Sequence, residues 1–137
     1  MSNKPIILLV DDDPDDIELL NEALISVNNA FNYIAFPDGT NALNFLLKAR
    51  DAASVPNLII IDMNMPLMNG RQLLTNIKNE PVLRNIPIVV FTTSANPVDL
   101  DYCIRYGIDM ITKPTSLKGY QQVALRLHAK LTGPLYP

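Results

Sequence analysis

Five short apolar runs set the terms of what this chain can fold into: Ile6–Val10, Tyr33–Phe36, Leu58–Ile61, Ile88–Phe91 and, more weakly, Met110–Thr112. Most are rich in Ile and Val and unbroken by polar residues, as expected of strands covered on both faces. Segments of helical period lie between them. Ile17, Leu20, Leu24 and Val27 form one stripe, and Leu117, Tyr120, Ala124, Leu127 and Leu131 form another, at steps of three and four. Leu43, Leu46 and Leu47 serve a second helix, Leu73, Leu74 and Ile77 a third, and Leu100, Cys103 and Ile104 a fourth. Pro14 and Pro97 suit first helical turns, and Gly107 suits the residue just past a helix end. Five strands alternating with five helices predict an α/β fold: a doubly wound, five-stranded parallel sheet with right-handed crossovers and helices on both faces. No repeat, low-complexity stretch or flexible linker interrupts the 137 residues, so a single domain spanning 1–137 is expected.

Composition excludes several kinds of function. Eleven Lys and Arg against 14 Asp and Glu give a formal charge of -3, and no basic run exists to grip a phosphate backbone, so no nucleic-acid partner is expected. One cysteine, Cys103, excludes an internal disulfide and any multi-cysteine metal site. One histidine, His128, excludes a two-histidine metal motif and reads as a structural side chain late in the last helix. The five glycines are isolated, so neither common glycine-rich nucleotide loop is present. Apolar runs are too short for a membrane span and the start lacks a signal-peptide core, so no membrane partner is expected and a cytoplasmic setting is the default.

Ligands of doubly wound sheets gather outside the carboxyl ends of the strands, near the point where strand order reverses. The first strand runs into Asp11-Asp12-Asp13-Pro14-Asp15-Asp16, and 7 of the 14 acidic residues fall between positions 11 and 22. Helix capping accounts for Asp13 at the N-cap and for Asp15 and Asp16 in the first turn. It leaves Asp11 and Asp12 unexplained, because they precede the cap at the mouth of a strand. The third strand also ends in an acid, Asp62, followed by Met63-Asn64-Met65-Pro66. Like charges about 4 Å apart cost roughly 4 kcal/mol per pair at an effective dielectric near 20. Three carboxylates on one sheet edge therefore need a cation or must take up protons. Oxygen donors suit a hard divalent ion, Mg²⁺ first. The fourth strand delivers Phe91-Thr92-Thr93-Ser94 and the fifth Thr112-Lys113-Pro114, adding hydroxyls and an amine at the same edge.

Val10-Asp11-Asp12, Ile61-Asp62-Met63-Asn64-Met65-Pro66 through Gly70, Thr92-Thr93-Ser94-Ala95 and Lys113-Pro114, in this order, resemble the receiver domain of response regulators. The resemblance runs from Ile6 to about Leu131, a core of 6–131. The stretch from Pro81 to Pro87 is similar to the stand-alone subgroup paired with phytochrome-type or hybrid histidine kinases. It implies the flavodoxin-like strand order 2-1-3-4-5. It further implies that Asp62 is the phosphoacceptor, and that Asp11, Asp12, Asp62 and the backbone carbonyl of Asn64 hold Mg²⁺. Thr92 becomes the switch hydroxyl and Lys113 the partner of the phosphoryl oxygens. Pro66, Gly70 and Pro114 become turn residues, with the Lys113–Pro114 bond expected in the cis form often found in such domains.

Where the family usually carries an aromatic that rotates with the threonine, this chain has Met110, which can fill either position but offers no hydroxyl. The implied partners are a sensor histidine kinase or phosphotransfer protein and a downstream protein, with a homodimer through the fourth-helix to fifth-helix face. Only six residues follow Leu131, so no output domain is expected. Two other readings compete. A haloacid-dehalogenase-like phosphatase needs an acid two residues beyond Asp62 and Thr or Val two further, where this chain has Asn64 and Pro66. A phosphorylation-independent interaction module on the same fold draws its support from Met110.

Overall fold

A computed structural model describes residues 4–93 and 96–132. Its elements alternate throughout: β1 Ile6–Val10, α1 Pro14–Val27, β2 Asn32–Phe36, α2 Gly39–Asp51, β3 Leu58–Ile61, α3 Gly70–Lys78, β4 Ile88–Thr92, α4 Pro97–Arg105, β5 Asp109–Thr112 and α5 Leu117–Thr132. A 3-10 turn over Leu83–Asn85 links α3 to β4. The strands form one parallel sheet in the order β2-β1-β3-β4-β5.

Why the strands read as continuous apolar runs is visible in the packing. Leu8, Val10, Ile59, Ile61, Ile88 and Val90 face one core, under α2, α3 and α4. Their neighbours Ile7, Leu9, Leu58, Ile60, Val89 and Phe91 face the other, under α1 and α5. Side chains alternate across a strand, so burial on both faces removes the polar half of the usual pattern.

Helix ends follow their local chemistry. Asp13 caps α1, accepting from the backbone N–H of Asp15 and Asp16, with Pro14 in the first turn. Asn69 and Gln72 form a reciprocal capping box on α3. Past α4, Gly107 takes φ +66°, its N–H bonds Ile104 O at 3.2 Å, and the Ile108 N–H bonds Cys103 O at 2.8 Å. That pairing is a Schellman motif, and Ile108 and Cys103 share a core beneath it.

Helix faces depart from the sequence stripes at several positions. Leu100 and Ile104 lie exposed, and only Cys103 of the fourth stripe is buried. The face of α4 turned to the sheet is instead the Asp99–Cys103 step. Val27 and Leu117 are also exposed, at the last residue of α1 and the first of α5, where the helices run past the sheet. Among the described residues no helix is long and apolar enough to cross a membrane.

Candidate functional site

Register builds the site. Val10 pairs with Ile61 between β1 and β3, so the next residue of each strand, Asp11 and Asp62, emerges level at the reversal of strand order. The Asp62 N–H bonds Val10 O at 2.9 Å and the Asp11 N–H bonds Phe36 O at 3.0 Å, extending both ladders to the acids themselves. Asp11 and Asp62 are buried and Asp12 is exposed, and one oxygen of each lies within 4.8 Å of the others. The Asn64 N–H donates to Asp62 Oδ1 at 3.2 Å, drawing that peptide to the same mouth. Gly70 sits against the backbone of the acid: a Cβ there would fall 2.5 Å from Asp62 O. Any larger residue would push the loop from β3 to α3 off the site. Pro66 is exposed in that loop, while Met63 and Met65 are core side chains.

The amine arrives from β5. Thr92 pairs with Thr112, and the Lys113 N–H bonds Thr92 O at 2.8 Å, setting the lysine beside the acids. Its Nζ lies 2.7 Å from Asp11 Oδ2, 3.2 Å from Asp62 Oδ2 and 5.9 Å from the centre of the Phe91 ring. The Lys113–Pro114 bond is trans, against the cis form the resemblance implied. With the lysine N–H tied to β4, the side chain reaches the acids by its own length. Thr92 is fully buried, and among the described residues its Oγ1 has no hydrogen-bond partner. Thr93 is exposed, and Ser94 and Ala95 lie outside the described residues, as do 133–137. Met110 pairs with Val90 and packs, half buried, against the core beneath α4.

Two ionic features were not legible in the sequence. Asp16, assigned there to the helix start alone, places Oδ2 2.7 Å from Lys113 Nζ. A carboxylate in a first helical turn is ordinary, and only the tertiary contact with the lysine that follows β5 reveals its partner. Asp99, on the buried face of α4, is bonded to Arg71 of α3 and accepts from Asn96 Nδ2 at 2.8 Å, and Thr75 Oγ1 meets the Tyr102 hydroxyl at 3.0 Å. These contacts tie α4 to α3.

The charge balance of the site follows from its burial. Burial pushes the Asp11 carboxyl up to about 6, although Lys113 and the Asp13 N–H draw it down. For Lys113, burial alone would depress the amine, but Asp11, Asp16 and Asp62 outweigh it and hold it above its ordinary value. Four carboxylates and one ammonium leave a surplus of three negative charges when all are ionised. A hard divalent cation among the oxygens of Asp11, Asp12 and Asp62 would offset two of those three charges, and this donor set fits one. His128 and Cys103 stand apart from the site. His128 Nε2 donates to Leu24 O at 2.9 Å and its ring meets Phe31 edge-on, while burial, with Asp99 nearby, pushes the Cys103 thiol up.

Comparison with known proteins gives the site a context. The model of the response regulator receiver domain matches residues 7–124. The chain is 37% identical over 121 residues to the response regulator Rcp1 of Synechocystis sp., covering 85% of this chain and 82% of that one. It is 32% identical over 121 residues to the two-component response regulator ORR1 of Oryza sativa subsp. japonica, and spans 52% of that longer protein. Among solved structures it superposes on the phosphorylated cyanobacterial phytochrome response regulator RcpA with a TM-score of 0.82, at 33% identity and 91% coverage of both chains. The Mn²⁺-bound form of Rcp1 superposes with a TM-score of 0.81 at 33% identity, covering 91% of this chain and 92% of that one.

Proposed function

Because the chain belongs to the response regulator receiver family, whose members are signalling domains of two-component systems rather than classical enzymes, we propose that it accepts a phosphoryl group on Asp62 from the phosphohistidine of a sensor kinase or phosphotransfer protein. The observation that carries this reading is the Lys113 ammonium 3.2 Å from Asp62 Oδ2, at a mouth that also gathers Asp11 and Asp12.

Asp11, Asp12, Asp62 and the Asn64 carbonyl are the residues that would hold Mg²⁺, which when bound neutralises the acids and the incoming phosphoryl oxygens. The phosphorylated RcpA and the Mn²⁺-bound Rcp1 are precedents for both features of the site. An Asp62 carboxylate oxygen attacks phosphorus in line. As that O–P bond forms, the P–N bond to the donor imidazole breaks, and the leaving nitrogen takes a proton from solvent. Lys113 pairs with one phosphoryl oxygen, offsetting charge that builds up in the transition state.

Thr92 is the switch. Its buried Oγ1 has no partner among the described residues, and a phosphoryl oxygen at Asp62 would supply one. Charge-assisted hydrogen bonds contribute roughly 1.5–3 kcal/mol each, and inverting a 1:99 equilibrium takes about 5.5 kcal/mol. Contacts from Thr92 and Lys113 reach that figure at the upper end of their range. Met110, two residue pairs away on β5, occupies the relay position without a hydroxyl. The responding surface is the face of α4, β5 and α5, where Leu100, Ile104, Leu117 and Leu125 stand exposed. That face is the proposed contact for a downstream protein or a second copy, in a cytoplasmic setting.

Incubation with acetyl phosphate tests the reading by intact mass. The expected result is one phosphoryl adduct that needs Mg²⁺ and is absent from Asp62→Asn. Steady release of phosphate from a simple ester would favour a phosphatase instead.

A further inference from the structure

Lys113 has three N–H donors and three carboxylates around them. Asp11 Oδ2 and Asp16 Oδ2 each lie at 2.7 Å, while Asp62 Oδ2 is the farthest at 3.2 Å. The lysine side chain is almost wholly buried among these acids. A cation shared among the Asp11, Asp12 and Asp62 oxygens would weaken the hold of Asp11 and Asp62 on the amine. Asp16 is outside that cluster, on the first turn of α1, and keeps its charge for the lysine alone.

We infer that Asp16 is a positioning residue for phosphoryl transfer: it holds the Lys113 amine toward α1 and so limits how fully that amine engages the phosphoryl group on Asp62. This rests on the phosphoacceptor reading above. The physical point is competition for one charge. An ammonium whose hydrogen bond and field are shared with a second carboxylate stabilises a phosphoryl oxygen less than a free one does. The sequence position alone would assign Asp16 to the helix dipole, but that role is also served by Asp15, which is exposed and accepts nothing from the lysine.

The test is a double-mutant cycle on the rate of adduct formation from acetyl phosphate at saturating Mg²⁺. In this reaction the Asp62 O–P bond forms as the P–O bond to acetate breaks. Asp16→Asn keeps the shape of the side chain and removes its charge. The expected result is a rate increase of roughly tenfold, within the coupling range of groups that share one hydrogen-bond network. That increase should vanish when Asp16→Asn is made in a Lys113→Gln background. Asp15→Asn, which removes a neighbouring charge from the same helix turn, should leave the rate within about twofold of the parent. Thermal melting of each variant separates a folding defect from a change in rate. An unchanged rate in a folded Asp16→Asn protein, or an equal increase with Lys113→Gln present, overturns the inference while leaving the phosphoacceptor reading intact. Failure of the parent protein to form any adduct on Asp62 overturns both.

Discussion

A single ammonium held among acids makes Lys113 the residue on which the charge balance of the site depends. Its side chain is 4% exposed and that of Asp11 is 0% exposed. Deleting one member of such a buried pair leaves an uncompensated charge, at a cost of roughly 3–5 kcal/mol. Lys113→Ala should therefore lower the unfolding free energy of the protein, measured by urea titration without Mg²⁺, by that amount, with Mg²⁺ restoring part of it. A loss below about 1 kcal/mol would mean that the acids are already protonated or solvated. The residues of this site were unequally legible. Asp11 and Asp62 could be placed together from sequence because strand ends in a parallel sheet converge, and the Val10–Ile61 pairing bears that out. Asp16 could not, since its contact with Lys113 joins positions 97 residues apart and its local surroundings already explain an acid. The trans Lys113–Pro114 bond likewise corrects an expectation that came from resemblance, with no local signal behind it.

At the scale of elements, α4 is the most informative, because it borders Thr92 and is held by few contacts. Its nine residues bury only Asp99 and Cys103 among the described side chains, and Asp99 is tied to Arg71 on α3. The glycine expected past its end is present, and it works through backbone conformation alone. A Cβ on Gly107 would meet nothing within 4 Å, yet φ is +66°. Gly107→Ala should thus cost about 1–2 kcal/mol from the left-handed conformation itself. Hydrogen exchange should localise the loss to α4 and the start of β5, and a loss spread evenly through the sheet would contradict that. Leu100 and Ile104 misled the sequence reading for a related reason. A stripe on a nine-residue helix spans little more than two turns, too short to say which third of the surface faces the sheet. On the longer α5, by contrast, Tyr120, Ala124 and Leu127 are all buried as expected.

For the whole molecule, the doubly wound architecture was readable because both cores draw alternate residues from the same strands, leaving uninterrupted apolar runs. The order β2-β1-β3-β4-β5 was not readable from periodicity and came from the family resemblance, which the sheet bears out. That order creates the crevice where Asp11 and Asp62 emerge, and it links global stability to the charge balance of one site. A ligand that binds only the folded protein stabilises it by about 2.7 kcal/mol at a hundredfold excess over Kd. Titrating Mg²⁺ should therefore raise the melting temperature of the parent chain steadily. The same titration should do much less for Asp12→Asn, which removes an exposed oxygen donor without disturbing the core. Equal stabilisation of both proteins would locate the cation elsewhere. The most direct measurement is chemical mapping of the phosphoryl group after acetyl phosphate treatment. Borohydride reduces an aspartyl phosphate to homoserine, so peptide mass spectrometry should find homoserine where Asp62 stood, only when Mg²⁺ was present. Homoserine at another acid, or an Asp62 peptide unchanged under the same conditions, would contradict the account.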